Sequence, residues 1–330
     1  MSRRVLTLLA TSAGLALLAW QINKIGAPAI LDGVRRIGLS GLLLILGASL
    51  VRQVLRAGAW VLLMAPGRDE SGARVPLASA LAATISGDAI GNLTPLSLLV
   101  SEPAKAMYVR AHMPPQRALA ALAAENFFYS LSVAITVVLG VMVLLIAFPV
   151  PDWLQLASVI IVTSMVAVLV AAAWLIAKEP SLVSATLARL PLVNAPKLVE
   201  KMRDVEASSY AFVRARPGRL AAVVACEVGF HVFSVAETWI TLVFLGYASL
   251  PLAFVLDTVQ RVINVVFRVV PLKIGVDEAG SGLTTAALGY GSALGVTMGV
   301  IRKIRVLVWA GAGLMLLFTS RADPPSTSTS

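Results

Sequence analysis

Long apolar segments alternate with short polar ones along most of the chain. A helix that crosses a bilayer needs roughly 20 mostly apolar residues. Six segments meet this requirement and predict spanning helices: 5–22, 37–64, 126–151, 153–177, 220–245 and 291–320. The first of them follows Arg3 and Arg4 and could instead be a cleaved signal peptide, with residues 27–29 near the cleavage site. We favour a first spanning helix.

Two further regions contain apolar pieces that are too short to cross a bilayer alone. The pieces 75–87 and 89–101 are joined at polar or helix-breaking residues, namely Asp88, Gly91, Asn92 and Pro95. The region 252–290 breaks in the same way around Pro271 and Gly275. Non-helical backbone at membrane depth is tolerated only where it is buried in protein or lines a polar cavity. We therefore predict two hairpins of half-helices, or re-entrant segments; the alternative is that Pro and Gly only kink two helices.

The composition is typical of a membrane protein. Of 330 residues, 58% are apolar and 13% are charged, and the mean hydropathy is +0.87. Soluble domains average roughly 45–50% apolar and about 25% charged residues. These values exclude an ordinary soluble domain, a disordered chain and a fibrous repeat. One cysteine and two histidines leave no basis for an internal disulfide, an iron–sulfur cluster or a Cys- or His-rich metal site, so we expect no metal and no cofactor.

The charge distribution predicts the orientation in the membrane. There are 27 Lys and Arg residues against 17 Asp and Glu residues, and with no RNA-binding motif present we expect no nucleic-acid partner. Basic residues concentrate in cytoplasmic loops, and eight of them lie in 178–219. We predict this loop, with an amphipathic helix, to be cytoplasmic, 246–251 to be outside, and both termini to be cytoplasmic in the inner (cytoplasmic) membrane. A loop at 23–38, predicted outside, conflicts because it carries three basic residues, and 321–330 is expected to be a disordered tail.

The two predicted hairpins share a sequence pattern. Pro95 and Pro271 are each followed by Leu, and Glu102 and Glu278 lie seven residues after them. With the topology above, the two hairpins open to opposite sides. The predicted fold is an all-α integral membrane protein, with about six full spans and two re-entrant hairpins, in which 1–151 and 152–320 are inverted repeats of a single domain, 1–330. Inverted repeats with paired broken helices are typical of transporters whose substrate site lies near the membrane midplane.

These motifs resemble a known family. The first motif consists of Gly91 to Pro95, residues 101–106, Arg110 and Glu125. The second motif is the segment 271–279. Over 5–318 the chain is similar to the flippase-like family of the lysylphosphatidylglycerol synthase transmembrane region. The chain departs from the family pattern at two positions. Ser101 stands where the family often has Gly, and Asn126 stands where it often has a basic residue. The resemblance implies lipid translocation between leaflets, and we expect no counterpart of the soluble synthase domain.

The charges inside the apolar segments are candidate site residues. Arg52 and Arg56 share a helical face and suit a lipid phosphate, although they could snorkel to headgroups. Glu102 and Lys105 could form a gate or a structural ion pair. Glu125 could be a helix N-terminal carboxylate. The candidates for substrate binding and translocation are Arg52, Arg56, Pro95, Glu102, Lys105, Arg110, Glu125, Arg268, Pro271, Lys273, Asp277, Glu278, Arg302 and Arg305.

The second set of charges leaves several interpretations open. Asp277 and Glu278 could accept protons in coupled transport, or hold Arg268 or Lys273. Arg302 and Arg305, deep in the last predicted span, suit a phosphate or those two carboxylates.

The leading functional hypothesis is a non-enzymatic translocator of a membrane lipid with an anionic headgroup. The alternatives are an integral-membrane lipid-modifying transferase and an accessory subunit of a lipid-synthesis complex. A second copy of the chain or lipid-synthesis enzymes could be protein partners.

Overall fold

The computed structural model describes residues 23, 27–65, 74–94, 97–178, 217–267, 270 and 273–320. All regular elements in these ranges are α-helices: α1 Ala27–Met64, α2 Leu77–Leu93, α3 Ser97–Tyr108, α4 Pro115–Ala147, α5 Asp152–Lys178, α6 Pro217–Phe244, α7 Leu250–Val266, α8 Val276–Ala287 and α9 Ser292–Ser320. The prediction of an all-α protein is confirmed for this part of the chain. The predicted span 5–22, most of the loop 178–219 and the tail 321–330 lie outside it.

Four of these helices are long and apolar enough to cross a membrane. They are Ile30–Met64 within α1, Pro115–Ala147, Asp152–Trp174 within α5 and Gly218–Phe244 within α6. Each overlaps a span that the hydropathy pattern predicts. Helix α9 is also long, but Arg302, Lys303 and Arg305 interrupt its apolar sequence near the middle.

The start of α1 corrects one prediction. The segment 23–38, predicted to be a loop, is helical from Ala27 onward and has a kink at Gly38, whose φ of 57° favours glycine. Ile30 and Ile37 are buried, which stabilises the helix by removing apolar surface from water or lipid headgroups. Arg36 pairs with Asp32 at 2.9 Å on the exposed face, so this basic residue is accommodated on a helix and does not require a loop.

The two pairs of short helices differ from each other at their junctions. Helix α2 continues through Asp88, Gly91 and Asn92 to Leu93, and α3 begins at Ser97, so these three residues are not part of the break, which falls at the Pro95 end of the predicted junction. Small buried residues such as Ala80 and Ala89 pack this helix closely, which keeps it continuous. The second interruption falls between the end of α7 at Val266 and the start of α8 at Val276, where the sequence predicts a break.

Two apolar clusters lie at opposite ends of α1. One contains Ile37 and Ile45 and joins α1 to α6, α7 and α9. The other contains Ala57, Trp60 and Met64 and joins α1 to α2, α3 and α4. Arg52 and Arg56 lie between the two clusters along the helix. The core is therefore apolar at both ends and polar in the middle, which is where the candidate residues gather.

Helix α5 is the most peripheral of the spanning helices. It packs chiefly on α4, and most of its surface is exposed, including Trp153 (55%) and Trp174 (49%). The two tryptophans are 21 residues apart, which at 1.5 Å per residue is about 31 Å. This matches a hydrocarbon core of about 30 Å, and Trp is enriched at both membrane interfaces. We infer that α5 faces lipid from Trp153 to Trp174.

A close approach between α8 and α9 requires glycine at position 295. A Cβ atom there would lie 2.2 Å from the backbone oxygen of Ser281, whereas a Cβ at Gly311 of the same helix would meet nothing within 4 Å. We expect Gly295→Ala to lower the free energy of unfolding by about 1–3 kcal/mol through overpacking. Gly311→Ala should raise it by about 0.5–1 kcal/mol through helix propensity. Denaturation of both variants in detergent checks this, and equal shifts would contradict the packing.

Candidate functional site

A polar cavity of about 350 Å³ lies among the helices, between the two apolar clusters. Helices α1, α2, α4, α6, α7, α8 and α9 all contribute to its wall. Among the described residues, seven cationic side chains line it: Arg52, Arg56, Arg261, Lys273, Arg302, Lys303 and Arg305. Four carboxylates from the same part of the chain line it as well: Asp88, Glu237, Asp257 and Asp277. Placing so many charges among apolar helices costs free energy unless the charges are paired with one another or bind a ligand.

Glu237 is shared by two arginines from different helices. Its Oε2 accepts hydrogen bonds from Arg52 Nη1 at 2.7 Å and from Arg305 Nη1 at 2.8 Å. The guanidinium of Arg52 also lies 4.6 Å from the centre of the Phe230 ring, a favourable cation–π arrangement. One carboxylate thus holds two cations, and this group of three side chains carries one excess positive charge.

Arg302 has only neutral partners. Its Nη1 donates to Gln260 Oε1 at 2.7 Å and to Ser281 Oγ at 3.0 Å, and it forms no ion pair with any described residue. Several donors on the cavity wall have no hydrogen-bond partner among the described residues: Arg52 Nε, Arg302 Nη2, Arg305 Nε and Trp309 Nε1. Such buried donors are costly when unsatisfied. An anion with several acceptor oxygens would satisfy them.

Arg56 and Glu125 form a buried ion pair at 2.9 Å, and Arg56 also donates to Asn126 Oδ1 at 3.1 Å. The Tyr129 ring lies 4.4 Å from this guanidinium. The interpretation of Glu125 as a helix N-terminal carboxylate is wrong, because α4 begins at Pro115 and Glu125 lies well inside it. The carboxylate is 1% exposed and neutralises Arg56 instead.

Lys105 holds two carboxylates. Its Nζ lies 3.2 Å from Glu102 on the same helix and 2.8 Å from Asp88 on α2. The pairing with Glu102 agrees with the sequence, but Asp88 is a partner that sequence reasoning missed. Neither Glu102 nor Lys105 lines the cavity. Lys105 is linked to the cavity wall by its ion pair with Asp88, and Glu102 is linked to it through Lys105.

Asp277 and Glu278 lie at the start of α8. Lys303 pairs with Asp277 and lies 3.8 Å from Glu278 Oε1. Glu278 Oε2 accepts a hydrogen bond from the backbone N–H of Gly275 at 2.8 Å and caps the helix. Asp277 therefore faces the cavity, while Glu278, which is 1% exposed, stabilises the turn behind it.

The predicted site residues thus fall into four groups. Those on the cavity wall are Arg52, Arg56, Lys273, Asp277, Arg302 and Arg305. Those joined to the wall by ion pairs are Glu102, Lys105, Glu125 and Glu278. Arg110 lies exposed on the turn after α3 and does not line the cavity. Pro95, Arg268 and Pro271 lie outside the described residues.

Sequence reasoning did not name Glu237, Gln260 or Trp309 as candidate site residues, although all three line the cavity. For Trp309 a signal existed, because residues 302, 305, 306, 309 and 310 recur at helical spacing and line the cavity from one face of α9. In the part of the chain that the structure describes, no cluster of three His, Cys, Asp or Glu side chains could hold a metal ion.

Fold and site together define an all-α membrane protein with a charged interior cavity. Residues 5–313 match the family described as the lysylphosphatidylglycerol synthase TM region, and the chain therefore belongs to this family. Membership links the protein to membrane lipids and confirms the resemblance read from its motifs. No curated protein and no solved structure matches the chain.

Proposed function

We propose that the protein translocates a membrane lipid with an anionic headgroup, without changing it chemically. The main evidence for this proposal is the size and the charge of the cavity. Its volume of about 350 Å³ falls within the usual range for small-ligand sites, roughly 300–1,000 Å³, and suits a headgroup whose acyl chains stay in the bilayer. Arg302 and the group Arg52–Glu237–Arg305 place positive charge and unpaired donors on its wall. Arginine donors bind phosphate oxygens strongly.

The helix contacts support an inverted-repeat architecture. Under the proposed repeat, α1, α2 and α4 correspond to α6, α7 and α9. Helix α2 packs on α9, and its counterpart α7 packs on α4. Helix α1 packs on α9, and its counterpart α6 packs on α4. A pseudo-two-fold axis relating the repeats would produce these matched contacts. It would also make the helix pairs α2–α3 and α7–α8 two re-entrant hairpins opening to opposite sides of the membrane.

We place the protein in the cytoplasmic membrane with both termini and the loop 178–219 inside, because basic residues concentrate there. In a Cys226→Ala background, a cysteine at position 197 should react with an impermeant thiol reagent only after the membrane is opened. A cysteine at position 248, in the loop after α6, should react in intact cells. Labelling of position 197 from outside would contradict this orientation.

Translocation can be tested with purified protein in liposomes. Fluorescent phosphatidylglycerol and phosphatidylcholine analogues in the inner leaflet should become accessible to an impermeant quencher, the anionic lipid faster, while mass spectrometry finds neither changed. Protein-free liposomes give the background rate. A lipid of altered mass would instead favour the transferase alternative. Equal rates with and without protein, for a panel of anionic lipids, would refute translocation.

A further inference from the structure

A second polar cluster lies next to the cavity, and the proposed headgroup site does not use it. We call Ser132 of α4 and Glu227 and His231 of α6 the Glu227 cluster. Ser132 Oγ lies 3.3 Å from Glu227 Oε2, 2.8 Å from His231 Nε2 and 2.8 Å from the backbone oxygen of Tyr129. Glu227 is 4% exposed and His231 is 8% exposed. The cluster is therefore a buried chain of groups that can carry protons.

Glu227 has no cationic partner among the residues the structure describes. The other buried carboxylates each have a nearby cation: Glu125 has Arg56, Glu237 has Arg52 and Arg305, Asp257 has Arg261, and Asp277 and Glu278 have Lys303. An unpaired carboxylate within a spanning helix is costly as an anion. Protonation removes that cost.

The charged groups around the cluster do not replace the missing partner. Arg56 of α1, Glu125 of α4 and Arg261 of α7 face Glu227 from the neighbouring helices. Arg56 is held by Glu125 at 2.9 Å and Arg261 by Asp257 at 2.7 Å. The charged groups that face His231 are Arg261, Asp257 and Arg52, and Cys226 adjoins Glu227 on α6. The two cations that face Glu227, Arg56 and Arg261, are therefore each paired with another carboxylate, and Glu125 adds a like charge.

The hydrogen-bond geometry fits a protonated Glu227. The Ser132 hydroxyl has one proton to donate and two lone pairs with which to accept. The shorter of its two contacts with acceptors is the one to the Tyr129 carbonyl. If Ser132 donates to that carbonyl, its oxygen can accept from a protonated Glu227 and from His231 Nε2–H together. An ionised Glu227 would have to compete with the carbonyl for the Ser132 proton.

The cluster lies one layer behind the cavity wall. The Tyr129 and His231 rings are stacked with their centres 6.2 Å apart, and Phe230 contacts both rings edge-on. Tyr129 and Phe230 line the cavity, and their rings lie against Arg56 and Arg52. A change in the position of either arginine on headgroup binding would therefore reach the Glu227 cluster through a single aromatic layer.

We propose that Glu227 is a proton-binding site and that release and uptake of its proton couple lipid movement to the transmembrane proton gradient. The proton comes from water on one side, resides on the Glu227 carboxylate and leaves to the other side, so no other bond forms or breaks. The coupling rests on the proposed translocation; the binding of the proton does not. Two measurements therefore test them separately.

Proton binding is tested by infrared difference spectroscopy of the purified protein between acidic and alkaline pH. We expect a protonated carboxyl C=O band that Glu227→Gln abolishes. Asp152→Asn, a control at an exposed carboxylate, should retain the band. Ser132→Ala keeps Glu227 but removes its partner, so the band should shift in frequency. A spectrum identical in wild type and Glu227→Gln would overturn the proton site, and the Ser132→Ala spectrum decides the matter if Glu227→Gln does not fold.

Coupling is tested in liposomes with a pH-sensitive dye inside. Wild type should move lipid several-fold faster with an imposed proton gradient than without one, and the dye should report proton flux during transport. Glu227→Gln should lose both the gradient dependence and the flux. A wild-type rate that is the same with and without the gradient would overturn the coupling. So would a Glu227→Gln variant whose rate still depends on the gradient. If no lipid moves under any condition while the infrared band is present, the proposed translocation fails and the proton site stands.

Discussion

Replacing Glu237 with alanine should lower the free energy of unfolding by about 3–5 kcal/mol, the usual cost of removing one partner from a buried ion pair. Glu237 is 5% exposed and holds both Arg52 and Arg305. Without it, two guanidiniums remain close together in the interior. Arg305 would retain only Ser49 Oγ at 3.4 Å among the polar contacts seen here, and Arg52 would retain the face of Phe230.

Chemical denaturation in detergent micelles measures this loss. The matched control is Asp32→Ala, which also removes a carboxylate from an arginine, Arg36, but at a site that is 59% exposed. Exposed ion pairs contribute roughly 0–1 kcal/mol, so this control should unfold close to wild type. If the two variants unfold at the same denaturant concentration, Glu237 does not hold the two arginines in the way the geometry indicates.

Replacing Arg302 with glutamine should slow lipid translocation by about 10- to 100-fold while leaving the protein folded. The loss corresponds to one or two charge-assisted hydrogen bonds of about 1.5–3 kcal/mol. Arg302 is the best arginine for this test, because its partners, Gln260 and Ser281, are neutral and its removal leaves no carboxylate unpaired. Arg261→Gln, in contrast, would leave Asp257 without its cation and would mix a folding defect with any transport defect.

The liposome assay with an anionic lipid measures the rate, and size-exclusion chromatography checks the fold. Arg302→Lys should retain part of the activity because it keeps the charge but loses the planar donor geometry. Arg117→Gln is the matched control, since Arg117 lies exposed in the first turn of α4 and should transport at the wild-type rate. A normal rate in the folded Arg302→Gln variant would show that the headgroup does not pass Arg302.

Hydropathy and local chemistry predicted much of the fold because both act over short stretches of chain. The apolar runs in α1, α4, α5 and α6 are long enough to be recognised without tertiary information. The break between α7 and α8 follows from Pro271 and Gly275, which are unfavourable within a helix. The break before α3 was predicted too broadly, because Asp88, Gly91 and Asn92 are also poor helix formers on their own. Their position is decided by packing and by the pairing of Asp88 with Lys105.

The candidate site was predicted only in part, for a related reason. A charge inside an apolar run, such as Arg52 or Arg302, is visible in the sequence. Its partner is not, because it comes from another helix: Glu237 lies 185 residues from Arg52 and 68 residues from Arg305. The pair Glu102 and Lys105 could be predicted because helical spacing alone brings them together. The start of α1 was missed because a segment with three basic residues is typical of a loop between spanning helices. The ion pair between Arg36 and Asp32, which is compatible with a helix, is visible only in the structure.

The peripheral position of α5 bears on how the protein responds to the bilayer around it. Membranes differ in thickness, and a helix whose apolar length does not match tilts, at a cost of fractions of a kcal/mol per Å. Helix α5 carries a tryptophan near each end of its lipid-exposed surface and packs chiefly on α4, so it can tilt with little disturbance of the helices that line the cavity. We therefore expect tilting of α5 to take up part of any hydrophobic mismatch at the edge of the molecule, so that the distances among Arg52, Glu237 and Arg305 depend less on the thickness of the membrane.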